Sequence, residues 1–253
     1  RAGALAPASP RPVAAAASAF RLFAIPDAVV LDANRVSCAF NAIGQQCSNP
    51  TSNTYGGGYW PAGTSDQYIF GGGLQVAAII EGDRASFGWA GDTVGAFFFD
   101  DTGSKTAGTP FTRVFNSRNA SDLADWPSAA YVRDTALFDV SLIGRKAASE
   151  QDSWVRYWEG DPRTVNGRPH PMGLLIDQRT LAWNRPEAGR DILFVLFRLV
   201  NVTARDRSRY AGLAAAGYTP ADIDEIARIG AAFHQTADTA GVSLPDTGFT
   251  WTN

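Results

Sequence analysis

The chain has 253 residues, 45% of them hydrophobic and 19% charged, a balance that excludes wholesale disorder and suits one folded domain. Its 22 basic and 25 acidic side chains leave a net charge of −3 with no sustained block of either sign, which argues against nucleic acid or an anionic membrane surface as a partner. No apolar run approaches the roughly 20 residues that span a bilayer, so no transmembrane segment is predicted.

The chain opens without a methionine on an Ala- and Pro-rich stretch, Ala2 to Ala17, as expected of a mature secreted protein or an excised fragment. Residues 1–26 read as an extended arm and residues 27–253 as the folded domain. Phe20 to Val30 is a first apolar segment, interrupted by Pro26, a residue confined to strand ends, edges and bulges. From Asn34 to Gly73 short apolar bursts (Val36 to Ile43, Tyr55 to Pro61, Tyr68 to Phe70) alternate with Gly, Asn, Ser and Pro, the texture of strands joined by turns. The glycine triplets at 56–58 and 71–73 lack the lysine and the following helix of a phosphate-cradling loop.

Cys38 and Cys47, the only cysteines, stand nine positions apart. In an exported protein an even cysteine count reads as a disulfide framework, and two allow one pairing; two reduced thiols are the alternative. Leu74 to Ile80, Thr93 to Phe99, Thr112 to Phe115, Leu137 to Ile143 and Gly173 to Trp183 have the β-branched and aromatic content of strands. Ile192 to Val200 is almost wholly apolar and reads as a central strand buried on both faces. The predicted fold is therefore mainly β, an antiparallel β-sandwich, with a short helical insertion near the C-terminus over about residues 205–235. Thr219-Pro-Ala-Asp222 signals its helix start, with Ile223, Ile226, Ala227, Gly230 and Phe233 on one stripe, and a preceding turn ends at Gly217.

No catalytic motif is visible. His170 lies in Arg-Pro-His-Pro and His234 on the predicted helix, and no Gly-x-Ser-x-Gly elbow accompanies them. Asp100 and Asp101, after three phenylalanines and before Thr-Gly, place two hard oxygen donors at a predicted strand end; calcium is the one candidate cofactor, against a solvated turn. Trp154, Tyr157 and Trp158 form the densest aromatic cluster, with Asp152 and Glu159 beside it. Exposed rings of that kind stack on sugars, and two facing acids cleave them; the alternative is that the rings fill the core. Asn119 and Asn201 begin glycosylation sequons.

Several segments carry a resemblance: Trp60-Pro-Ala-Gly; Tyr68-Ile-Phe-Gly-Gly-Gly-Leu-Gln-Val-Ala; His170-Pro-Met-Gly-Leu; Gln178-Arg-Thr-Leu-Ala-Trp183-Asn; and Asp191 through Asn201-Val-Thr. Over about residues 34–253 the chain resembles the N-terminal region of large uncharacterised exported bacterial proteins of Gemmatimonadota-like and Bacteroidota-like genomes, often followed by fibronectin-type repeats or sorting tails. The resemblance implies a secreted or cell-surface, β-rich protein and transfers no activity to any residue. The leading expectation is a non-catalytic extracellular module, structural or self-associating, such as a filament or surface-layer subunit whose partner is another copy or a neighbouring surface protein. A carbohydrate-binding or glycan-cleaving module is the rival. An enzyme of another chemistry is a third reading, because sites are built from residues distant in sequence.

Overall fold

The computed structural model describes residues 27–42, 44–47, 57–74, 76–80, 83–87, 113–159 and 173–240. The predicted arm over 1–26, the predicted strand Thr93 to Phe99, the acids Asp100 and Asp101, and His170 lie outside the described residues.

The architecture is mainly β, as the sequence predicts: two antiparallel four-stranded sheets in a sandwich-like arrangement, with a C-terminal helix. The first sheet runs in the order β1 (Ala28–Leu31), β2 (Ser37–Asn41), β3 (Gly58–Tyr59), β4 (Gln67–Ile69). A separate hairpin pairs β5 (Val76–Ile80) with β6 (Asp83–Phe87). The second sheet has the order β10 (Leu193–Asn201), β9 (Leu174–Ala182), β8 (Gln151–Glu159), β7 (Phe115–Asn116). Among the described residues two α-helices join these strands, α1 (Ala120–Ala124) and α2 (Pro220–Ala240).

The period-2 alternation of strand side chains builds the layers. Leu31, Cys38 and Phe40 from the first sheet meet Val155, Tyr157, Leu174 and Ile176 from the second in one core. Gln151 stitches the sheets at one margin, accepting from the Asp32 amide at 2.9 Å and donating to the Val30 carbonyl at 2.9 Å. The opposite face of the second sheet is covered in its turn: Leu175 and Val200 pack against Tyr210, Ile223, Ile226 and Ile229. Every residue of β9 is therefore buried, and β9, not β10, is the central strand. Among the described residues the apolar run Ile192 to Val200 belongs to an edge strand, unpaired along its outer side, and Ile192 and Phe194 are exposed.

Leu137 to Ile143 departs from its predicted strand. Asp139 accepts a hydrogen bond from the Ser141 amide at 2.8 Å, and the segment closes into a 3-10 turn over Val140–Leu142. A local side-chain acceptor of this kind competes with sheet pairing. The helix follows the sequence signals closely. The Thr219 amide donates to Asp222 at 2.8 Å and the Asp222 amide to the Thr219 hydroxyl at 3.2 Å, a reciprocal capping box. The preceding 3-10 segment Arg207–Ala216 stops at Gly217, whose φ of 85° is the left-handed conformation that glycine adopts without steric cost. Gly230 lets Tyr210 cross α2 so that its hydroxyl donates to the Ala204 carbonyl at 2.7 Å.

Candidate functional site

The aromatic cluster of β8 is divided by the pleat of the strand. Trp154 faces the helical layer, 3% exposed, packed against Phe115 with ring centroids 5.8 Å apart. Tyr157 points the other way into the core between the sheets, 1% exposed, with its hydroxyl 3.1 Å from Gln178 Oε1. Two buried rings on opposite faces do not make a sugar-stacking platform, and the reason is register: both faces of the second sheet are covered, so both parities of β8 are core. Gly44, at φ 80°, packs on the Tyr157 ring so closely that a Cβ there would lie 2.5 Å from the ring carbon Cζ. Trp158 and Glu159 continue β8, and their side chains lie outside the described residues.

Asp152 is fully buried and builds a turn. It accepts from the Ala148 amide at 2.9 Å, the Ser149 amide at 2.8 Å and the Ser149 hydroxyl at 2.5 Å, with Arg179 Nε 3.5 Å away. Burial pushes its pKa above the ordinary carboxylate value, against the opposing pull of Arg179 and these hydrogen bonds. A carboxylate so enclosed does not face a cleft as a glycosidic acid would. Cys38 and Cys47 form a disulfide, both sulfurs buried in the core that joins the two sheets. His234 is buried in α2 with Nε2 2.7 Å from the Thr203 carbonyl. Since a carbonyl only accepts, Nε2 carries the proton. Both sequon asparagines are engaged locally, Asn119 as the cap of α1 and Asn201 as acceptor from the Thr203 amide and hydroxyl. Among the described residues no group of three or more His, Cys, Asp or Glu gathers as a metal site, and no helix is long and apolar enough to cross a membrane.

Among the described residues the surface that stands out is a pair of sheet edges. β4 ends the first sheet there; Tyr68 and Ile69 on it and Phe70 just after it are 65%, 47% and 77% exposed. β10 ends the second, nine residues long and unpaired on its outer side among the described residues. The two edges lie on the same flank. Trp60, in T-shaped contact with Tyr68 at 6.1 Å, donates from Nε1 to Asp191 Oδ1 at 2.5 Å, just before β10 begins. Arg35 reinforces this tether, 3.3 Å from the other Asp191 oxygen and with its guanidinium 5.2 Å from the centre of the Trp60 ring. Asn34 Nδ2 donates to the Ile192 carbonyl at 2.8 Å, and Phe194 stacks edge-on against Trp183 at 5.3 Å. Sequence reasoning marked Tyr68 to Phe70 as a strand; it gave no sign that this burst and Ile192 to Phe194 would share one flank.

No family model, no curated protein and no solved structure matches the chain.

Proposed function

We propose that this chain is a non-catalytic structural module of the extracellular space, which self-associates through the open edges of its two sheets as a unit of a filament or surface layer. One observation carries the reading: the consecutive exposed apolar side chains Tyr68 and Ile69 on the edge strand β4 and Phe70 just after it, on the flank where β10, nine residues long, is unpaired on its outer side among the described residues. Folded proteins blunt such edges with charge, proline or cover, because an exposed flat edge is a template for strand addition. A contiguous exposed apolar patch of this kind marks an interaction surface. The partner is a second copy of this chain, since each copy offers both a donor and an acceptor edge and repeated heterologous pairing builds open assemblies.

The Cys38–Cys47 disulfide supports export from the reducing cytoplasm, and the resemblance to exported bacterial proteins points the same way. The test is negative-stain imaging of the purified chain beside a Tyr68→Glu, Phe70→Glu double variant. The reading predicts ordered polymers or defined oligomers for the unmodified chain and dispersed single particles for the variant. Deleting residues 1–26 separates two forms of the contact. Assembly lost on deletion assigns the added strand to the arm of a neighbour, and assembly retained assigns it to the edges alone.

A further inference from the structure

The helix-bearing face of the second sheet holds an uneven row of charge. Cross-strand register places Arg156 opposite Asp177 and Asp177 opposite Arg198, so the row reads Arg, Asp, Arg across β8, β9 and β10. Asp177 is taken by Arg156, which donates to it twice, at 2.5 Å from Nε and 2.9 Å from Nη2. One row further along the strands, Arg179 leans on Asp152 and donates to the Ala130 carbonyl at 2.5 Å and the Lys146 carbonyl at 2.7 Å. Arg133, on the facing loop, is paired with Asp222 at 2.7 Å. Arg198 is different: it is half-buried, its guanidinium carbon lies 4.8 Å from the centre of the Tyr218 ring, and no carboxylate of the described residues is within ion-pair distance.

Over this row opens a cleft lined by Asp177, Arg179 and Arg198 and by Leu137, Phe138 and Trp154, with about 570 Å³ of empty space when the open solvent at its mouth is included. A half-buried guanidinium without a carboxylate, at the base of an apolar-walled cleft, is an anion site. The neighbouring Tyr218 hydroxyl is buried beside the Arg198 side chain, so the guanidinium is steadied by a tyrosine and not by a carboxylate. Asp134 also borders the cleft, so the excess of positive charge is small and the apolar walls, not charge alone, select the anion.

From this arrangement we propose that the cleft binds a small organic carboxylate with a planar apolar body, the carboxylate on Arg198 and the body against Leu137, Phe138 and Trp154. The cleft lies on the face of the second sheet and not along its outer side, although Arg198 belongs to β10, whose outer side is a proposed contact edge.

Benzoate is the probe, titrated into the full chain by calorimetry, with far-UV circular dichroism of each variant as the check on folding. Saturable one-to-one binding is expected, weakened about tenfold or more by Arg198→Met and less by Arg198→Lys, as loss of a charge-assisted hydrogen bond dictates. Inorganic phosphate at equal concentration is expected not to compete. Absence of saturable binding by the unmodified chain up to about 10 mM benzoate, or equal binding by a folded Arg198→Met variant, overturns the proposal. Should Arg198→Met not fold, Leu137→Glu decides. That residue is exposed on the cleft wall, and a carboxylate there is expected to weaken benzoate several-fold, unchanged binding again overturning the proposal.

Discussion

Arg156 holds Asp177 by two hydrogen bonds across neighbouring strands, with side chains 3% and 7% exposed. A buried bidentate pair of this kind contributes modestly as a whole, because desolvation offsets attraction, yet breaking it leaves one charge stranded in the interior. Arg156→Met is therefore expected to cost about 3–5 kcal/mol in unfolding free energy. The double variant Arg156→Met, Asp177→Leu is expected to recover most of that loss. Urea unfolding of the three chains is the measurement, and a double variant as unstable as the single one would contradict the account.

Trp154 supplies a second prediction. It is packed beside Phe115 and Trp126, so Trp154→Ala is expected to destabilise by about 3–5 kcal/mol, the usual cost of emptying an aromatic site in a core. A variant that unfolds at the same urea concentration as the unmodified chain would return the ring to the surface and revive a sugar platform.

The disulfide closes a short loop, Cys38 and Cys47 standing nine positions apart. In the chain-entropy picture its removal costs about 2–3 kcal/mol. The Cys38→Ala, Cys47→Ala chain is expected to unfold at correspondingly lower urea, a shift read directly from the transition midpoint.

Acid stability separates two buried aspartates. At Asp222 burial pushes the pKa up, but hydrogen bonds from Arg133, Thr219 and Ser128 outweigh it and hold the pKa below the ordinary 3.8. A depressed folded-state pKa contributes stability above the unfolded value and loses it as pH falls through the folded one. Asp222 is thus expected to stabilise at neutral pH and to lose that contribution below about pH 4. Asp152, raised by burial, acts in the opposite sense, its contribution present in acid and lost as pH rises through its folded-state pKa. Thermal melts of Asp222→Asn between about pH 6 and pH 3 are expected to fall less steeply than those of the unmodified chain; parallel curves would remove Asp222 from the acid response.

The helix and the sandwich were legible because their signals are local. Thr219, Pro220 and Asp222 act within one turn, and β-branched runs between turn residues mark strands wherever they end up. The fate of an apolar run within a sheet is not local. Ile192 to Val200 is the more apolar run and Gly173 to Trp183 carries Asp177, Gln178, Arg179 and Thr180, yet the second lies inside the sheet, because that position depends on pairing partners on both sides. The same gap explains the aromatic cluster. Trp154 and Tyr157 could be exposed only if one face of β8 were bare, and the cover comes from outside the strand: Phe115, Trp126 and Ala130 over Trp154, and Phe40 of the first sheet beside Tyr157. Arg198 was visible as a charge inside an apolar run, but its lack of a carboxylate follows from Asp177 being claimed by Arg156 on the far side.

The central claim, association through the open edges, is tested most directly by the mass of the purified chain in solution, measured by size-exclusion chromatography with light scattering over a range of concentrations. The account predicts a mass well above the 27.0 kDa of one chain, rising with concentration, and a return to one chain when Tyr68 and Phe70 are both changed to Glu. A single monomeric peak at every concentration, the same for both proteins, would contradict it.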